Sequence, residues 1–178
     1  MKKWQYIFLF VLIFLLILFL VLTLTNKKNN LEYKLPDKLN NIVAQRSEQL
    51  IQQAKEKGIN VIITDGFRTT EEQNLLYEKG RSMEGKIVTK VKGGQSYHNY
   101  GLAIDFAILN KRKQPKWDLK YDGNGNGKSD WMEVVDIAKE LGFTWGGDWK
   151  SFKDYPHLQM DFGLSIYELK TGKKRPPE

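Results

Sequence analysis

Hydrophobic side chains form one continuous stretch near the N-terminus of the chain. Residues 4–26 carry no charge, and residues 6–24 are almost entirely Leu, Ile, Phe and Val. A helix of about 20 apolar residues is long enough to cross the hydrocarbon layer of a membrane. No Ala-x-Ala-like cleavage site follows the stretch. The pattern therefore predicts an uncleaved membrane anchor over residues 1–26, with a cleaved signal peptide as the alternative.

Beyond a polar linker, residues 27–36, the hydrophobic positions follow the periods of helices and short strands. The predicted elements are helices over residues 37–57, 70–79 and 131–141 and strands over residues 61–63, 101–109, 143–145 and 157–162. Because helices and strands are mixed without a regular βαβ alternation, we expect an α+β fold with a small antiparallel sheet flanked by helices. This domain spans residues 37–165, and residues 166–178 form a basic tail with a frayed end.

The polar chemistry of the domain centres on its two histidines. The chain has no Cys, so any metal must be held by His and carboxylates. Asp105 lies in the middle of an apolar strand, where a carboxylate needs a partner or a cation. A catalytic zinc ion takes three protein ligands, which His98, Asp105 and His157 would supply, and leaves one position open. Asp154 would then be the general base. The alternative interpretation is an ordinary hydrogen-bonded His–Asp pair without a metal. This interpretation is the weaker one, because each His has a carboxylate nearby in the sequence.

Four motifs together resemble one family of enzymes. Residues 96–105 read Ser-x-His-x-x-Gly-x-Ala-x-Asp, and residues 154–157 read Asp-x-Pro-His. Residues 65–69 and 145–149, Asp-Gly-Phe-Arg-Thr and Trp-Gly-Gly-Asp-Trp, belong to the same pattern. The set is similar to the LAS metallopeptidases, which include lysostaphin, the D-Ala-D-Ala peptidases and the hedgehog fold. The resemblance covers residues 39–162.

Within that family, the chain resembles the L-alanyl-D-glutamate endopeptidases of bacterial walls and phage endolysins. Asp154 and Pro156 stand where the carboxypeptidase branch usually has Glu and Trp. The resemblance implies a LAS/hedgehog-like fold, a zinc cofactor on the three ligands above, and hydrolysis of a bond in the peptidoglycan stem peptide, first of all L-Ala-D-Glu. A D-alanyl-D-alanine carboxypeptidase is the alternative. The second alternative is a non-catalytic, zinc-stabilised binding module. Asp154 argues against it, because a purely structural zinc site needs no general base.

The resemblance also implies further roles around the metal. Arg68 and Ser96 match positions that contact substrate, and Gln73 matches one that supports the site. Arg68 could hold a carboxylate or an oxyanion, or it could form a structural salt bridge. Trp145 and Trp149 could line a groove or belong to the core.

Charge and substrate together suggest where the protein works. The net charge is +7, or +5 once Lys2 and Lys3 at the N-terminus are set aside. A basic surface suits an anionic wall or membrane face, and no nucleic-acid motif is present. Lys27 and Lys28 flank the other end of the anchor, so charge alone does not decide its orientation. Because cell-wall peptide lies outside the membrane, we expect a single-pass, monomeric protein with its domain on the wall side.

A separate segment, residues 122–133, fits the calcium-loop pattern D-x-[DN]-x-[DN]-G-x5-E. The predicted calcium ligands are Asp122, Asn124, Asn126, the Lys128 carbonyl, Asp130 through water and Glu133. Two neutral Asn ligands and the lack of a preceding helix weaken this interpretation. The alternative is a Gly/Asn turn in which Asp130 caps the following helix.

Overall fold

The computed structural model describes residues 12–20 and 37–178. Residues 12–20 and residues 37–178 belong to two different compact units. Residues 12–20 are helical. In the two described ranges, no helix has both the length and the hydropathy required to span a membrane. The rest of the predicted anchor and the whole predicted linker lie outside these residues.

Residues 37–178 fold into four helices and one five-stranded antiparallel sheet. The elements are α1 (Asn41–Glu56), β1 (Asn60–Asp65), α2 (Thr70–Glu78), β2 (Ala103–Leu109), β3 (Pro115–Lys116), α3 (Asp130–Glu140), β4 (Thr144–Trp145), β5 (His157–Gln159) and α4 (Ile166–Thr171). Two short 3-10 turns, Tyr97–Tyr100 and Gly146–Asp148, precede β2 and follow β4. This arrangement confirms the predicted α+β class.

Side-chain caps explain where the helices begin. The Asn40 side chain accepts hydrogen bonds from the first backbone N–H groups of α1. Thr69 and Glu72 form a capping box at the start of α2. Ser129 caps α3, so the suggestion that Asp130 is the cap is wrong; Asp130 is already the first residue of the helix.

The order of the sheet decides what lies next to β2. The strands run β1-β2-β5-β4, and β3 pairs with the far end of β2. Asp105 on β2 pairs with Asp65 on β1 and with His157 on β5. Below the sheet, Phe106 packs on Trp131 of α3 with ring centroids 4.6 Å apart. Polar side chains from three strands therefore meet at the end of a sheet whose centre is apolar.

The C-terminal part departs from the prediction in two ways. β5 ends at Gln159, short of the predicted Phe162, which has a positive φ of 52° and cannot continue a strand. The segment predicted as a tail begins with helix α4, which the hydrophobic pattern did not predict. Its six residues bury a single side chain, Leu169, which leaves too little periodicity to detect.

We expect Leu169→Ala to lower the free energy of unfolding by about 2–5 kcal/mol, because it empties a fully buried site. Urea unfolding followed by Trp fluorescence measures the change. Tyr167 on the same helix is 63% exposed, so Tyr167→Ala should change stability by less than about 0.5 kcal/mol. Equal losses in the two variants would show that α4 does not dock through Leu169.

Candidate active site

His98 is carried by the 3-10 turn that leads into β2. Ser96 caps this turn, and its Oγ accepts the backbone N–H of His98 at 3.4 Å. Gly101 ends the turn with a positive φ of 68°, and a Cβ there would lie 2.4 Å from the Lys38 carbonyl oxygen. The close approach requires glycine at this position, because it lets the turn pack against the residues that precede α1. His98 is thereby fixed above the end of the sheet.

Three potential ligand atoms converge at this end. His98 Nε2 lies 3.2 Å from His157 Nδ1, and each nitrogen lies 3.4 Å from Asp105 Oδ1. Asp105 Oδ1 is buried and has no hydrogen-bond partner. Ligands placed tetrahedrally at zinc–nitrogen distances are about 3.3 Å apart. The triangle thus has the dimensions of one face of a tetrahedral site, and these residues could hold a divalent metal ion.

The outer nitrogen of each histidine has its own partner. His98 Nδ1 lies 2.6 Å from the Gly66 carbonyl oxygen, and His157 Nε2 lies 3.0 Å from Gln159 Oε1. A carbonyl oxygen only accepts, so His98 carries its proton on Nδ1 and turns the lone pair of Nε2 inward. Neither partner is predicted from the sequence pattern. The spacing of two residues between His157 and Gln159 on one strand is the signal that could have identified the second.

The charge of Asp105 is stabilised by its neighbours. Burial by itself would raise the pKa of this carboxyl, but the imidazoles of His157 and His98 beside it hold the pKa well below its usual range. These neighbours therefore favour the charged form of Asp105, which is the form that can bind a metal ion.

Asp154 lies beside the triangle but is not one of its corners. Its backbone N–H donates to the Gly146 carbonyl at 3.1 Å, and its own carbonyl accepts the N–H of His157 at 3.3 Å. A Cβ on Gly146 would lie 2.4 Å from the Asp154 carbonyl oxygen. The loop that carries Asp154 can therefore approach this closely only because residue 146 is glycine. Burial raises the pKa of Asp154, and the negative charge of Asp105 raises it further. Asp154 is consequently a stronger base than a surface carboxylate.

Comparison with known proteins places this site in a family. A family profile described as D-alanyl-D-alanine carboxypeptidase, of the peptidase M15 group, matches residues 89–160, which include the three converging residues and Asp154. The peptidoglycan L-alanyl-D-glutamate endopeptidase CwlK of Bacillus subtilis (strain 168) is 60% identical over 126 residues, covering 71% of this chain and 75% of CwlK. The chain belongs to the M15 peptidase family.

A phage enzyme and a solved structure are also similar to the chain. The L-alanyl-D-glutamate peptidase of Listeria phage A118 is 34% identical over 116 residues, covering 65% of this chain and 36% of the phage protein. A crystal structure of the L,D-carboxypeptidase DacB from Streptococcus pneumoniae aligns with a TM-score of 0.50 at 20% identity, covering 78% of this chain and 74% of DacB. At that identity the alignment shows a shared fold only.

Arg68 in this M15 peptidase has structural partners. Its guanidinium forms an ion pair with Asp65 and donates from Nη1 to Gln73 Oε1 at 2.7 Å. Gln73 is fully buried and donates in turn to the Val91 carbonyl at 2.9 Å. Arg68 Nη2 is 3.9 Å from Asp105 Oδ2. The structural salt bridge proposed as an alternative for Arg68 is therefore present, and the buried Gln73 holds the Arg68 side chain in place.

The ligand triangle of the M15 peptidase opens into a cleft of about 570 Å³, which Arg68, Ser96 and Asp154 also line. Trp149 forms one wall, with its ring centroid 5.1 Å from that of His157. Trp145 is buried and donates from Nε1 to the Tyr155 carbonyl at 2.7 Å, so it belongs to the core. The cleft leaves space for a peptide beside the potential metal ligands.

The calcium-loop segment of the M15 peptidase forms a compact turn away from this cleft. Asp122 accepts the backbone N–H groups of residues 125–127. Glu133 Oε2 accepts from the side chains of Asn126 at 2.8 Å and Asn124 at 3.2 Å. Asp130 is 2% exposed, and its Oδ1 has no hydrogen-bond partner. All five predicted side chains thus lie in this turn or in the first turn of α3. The backbone N–H of Lys128 donates to Asn126 Oδ1 at 2.8 Å.

Proposed function

We propose that the chain is a zinc-dependent peptidase that hydrolyses the bond between L-Ala and D-Glu in the peptidoglycan stem peptide. The observation that carries the proposal is the triangle of His98, Asp105 and His157 beside Asp154 in an open cleft. The 60% identity to an L-alanyl-D-glutamate endopeptidase supports the choice of bond.

Zinc suits this donor set better than other divalent ions. Two imidazole nitrogens and one carboxylate oxygen are ordinary ligands of catalytic zinc, whereas magnesium and calcium prefer oxygen alone. His98 would bind through Nε2, His157 through Nδ1 and Asp105 through Oδ1, the atoms that already face one another. When bound, zinc polarises the scissile carbonyl and makes water more acidic.

Asp154 moves the proton in the proposed reaction. Its carboxylate takes a proton as the water oxygen attacks the carbonyl carbon of L-Ala. When the C–N bond breaks, Asp154 delivers that proton to the amine of D-Glu. Its raised pKa suits both steps, because the group must accept a proton and then release it. The backbone contacts on both sides of Asp154 hold it beside the ligands.

Substrate would be held by groups that already line the cleft. Arg68 is 12% exposed and lines the cleft, where its guanidinium can pair with a substrate carboxylate. Ser96 adds a hydroxyl at the same wall. Lys90 at the rim, 4.8 Å from the ring centroid of Phe152, adds positive charge that attracts an anionic peptide.

A D-alanyl-D-alanine carboxypeptidase is the second candidate activity. The description of the matching family profile favours it. The two activities use the same metal ligands and differ in the product that they release.

The proposal extends to the location of the enzyme. Residues 1–26 anchor it as a single-pass, monomeric protein, residues 27–36 link anchor and peptidase domain, and the domain faces the cell wall. The uncharged hydrophobic run and the wall substrate support this topology.

We also propose a weak calcium site in residues 122–133. The sequence pattern and the unpartnered, buried Oδ1 of Asp130 support it. A bound cation would give the Asp130 oxygen a partner and would neutralise part of the negative charge of Asp122 and Glu133. Because Asn124 and Asn126 are neutral, the affinity should be low.

We expect the full chain in detergent to release new N-terminal D-Glu from purified peptidoglycan, measured by mass spectrometry. Asp154→Asn should keep its zinc and lose about 10²–10⁴-fold in rate, because only the proton acceptor is removed. His157→Ala should lose zinc and activity together. The wild-type rate should fall as pH drops through the raised pKa of Asp154, since protonation blocks the base.

The matched control is Asp136→Asn on the exposed face of α3, which should cleave at the wild-type rate. Loss of D-Ala without new D-Glu ends would support the carboxypeptidase instead. An Asp154→Asn variant with wild-type turnover would refute the role of this residue as the base.

We expect deletion of residues 2–26 to give a soluble and fully active enzyme, because the anchor contributes nothing to the proposed site. In intact cells without an outer membrane, added protease should digest the domain while the protein remains in the membrane fraction. Complete protection of the domain would contradict the external topology.

We expect calcium in the range of about 10⁻⁴–10⁻³ M to raise the melting temperature of the protein, with the cleavage rate measured in the same titration. Asp122→Ala and Glu133→Ala should abolish the response. Asp118→Ala, an exposed carboxylate just outside the loop, should retain it. A wild-type protein that does not respond, or two loop variants that respond fully, would exclude the site.

A further inference from the structure

A chain of hydrogen bonds extends from His157 away from the ligand triangle. His157 Nε2 lies 3.0 Å from Gln159 Oε1, and Gln159 Nε2 lies 3.4 Å from Asp161 Oδ2. Gln159 is 7% exposed and lines the inner part of the chain between His157 and the part-buried Asp161. None of the roles considered above uses Gln159 or Asp161.

The donors and acceptors of this chain can be assigned from its end. An ionised carboxylate only accepts, so Asp161 attracts the amide NH₂ of Gln159 and leaves Oε1 facing His157. An amide oxygen also only accepts, so His157 must carry its proton on Nε2. Nδ1 then keeps its lone pair, and Nδ1 is the atom that faces His98 and Asp105.

The backbone leaves this arrangement little freedom. His157 and Gln159 project from the same face of β5, because they are two residues apart on a strand. β5 pairs with β2 on one side and β4 on the other, and Gln159 lies opposite Ala103 and Thr144. Asp161 is held by the backbone N–H of Gly163, which donates to its Oδ1 at 2.8 Å.

The two histidines differ in what holds their tautomers. His98 donates to a backbone carbonyl, that of Gly66, which no substitution removes. His157 depends on the side chains of Gln159 and Asp161. The state of this one ligand is therefore set by two replaceable residues.

We infer that Gln159 and Asp161 are positioning residues that hold His157 in its Nε2–H tautomer and so set the metal affinity of the site. This inference rests on the proposed zinc site. Outer partners of metal-bound histidines typically contribute about 10–100-fold in affinity. Without an acceptor at Nε2, the proton can occupy Nδ1, and that tautomer cannot bind metal.

The first test is NMR of the zinc-loaded full-length chain in detergent, labelled with ¹⁵N only in histidine. Because the sequence has only two histidines, each tautomer can be read from two imidazole signals. We expect one ring protonated on Nδ1, for His98, and the other on Nε2, for His157. Two rings of the same tautomer would overturn the inference.

The second test measures zinc affinity by competition with a chelator. We expect Gln159→Leu to bind zinc about 10–100-fold more weakly than wild type. Asp161→Asn should weaken zinc binding less, because it removes only the carboxylate that orients the Gln159 amide and leaves the Gln159 oxygen available to His157. The double variant Gln159→Glu, Asp161→Asn should recover most of the affinity, since the new carboxylate accepts from His157 and the new amide donates to that carboxylate. Gln95→Leu, whose wild-type Oε1 contacts the Lys92 backbone instead, should bind as wild type does.

The outcomes separate the two proposals. A wild-type chain that binds no zinc would refute the proposed function and this inference together. Zinc binding that is equal in wild type and Gln159→Leu would overturn the inference alone. A double variant no better than Gln159→Leu would also overturn it, because the loss would then come from packing and not from the missing acceptor.

Discussion

The pairing of β2 with β5 is the interaction on which the site depends. It places Asp105 directly opposite His157, although the two residues are 52 positions apart in the sequence. A slip of one residue would turn Asp105 or His157 to the other face of the sheet. The apolar residues of β2, among them the buried Ile104 and Phe106, prevent this slip because they must face the core.

The same register brings together groups that would otherwise repel one another. Two imidazole lone pairs and a carboxylate oxygen within 3.4 Å are unfavourable without a proton or a cation between them. The fold tolerates them because each has a fixed partner on its outer side, or, for Asp105, the nearby guanidinium of Arg68. A structure that holds acceptors in this way is preorganised for a metal, because little rearrangement is needed on binding.

Two glycines make the close packing around the site possible. Gly101 allows the turn with His98 to pass over the chain before α1, and Gly146 allows the loop with Asp154 to pass over the 3-10 turn that follows β4. Both positions meet backbone atoms, which cannot move aside as a flexible side chain could. The proposed base and one proposed metal ligand are therefore placed by backbone contacts as much as by their own side chains.

The sequence alone determined the α+β class, most of the helices and strands, and the residues that converge at the site. These features depend on local periodicity and on rare residues at particular spacings; with two histidines and no cysteine, few ligand sets were available. The tertiary structure decided which partners those residues have. That Arg68 pairs with Asp65, that Trp145 is core while Trp149 lines the cleft, and that Gln159 contacts His157 all depend on which strands pair and in what register. Helix α4 was missed for a related reason, because a single buried Leu169 carries no periodic signal and acquires its meaning only from the surface on which it packs.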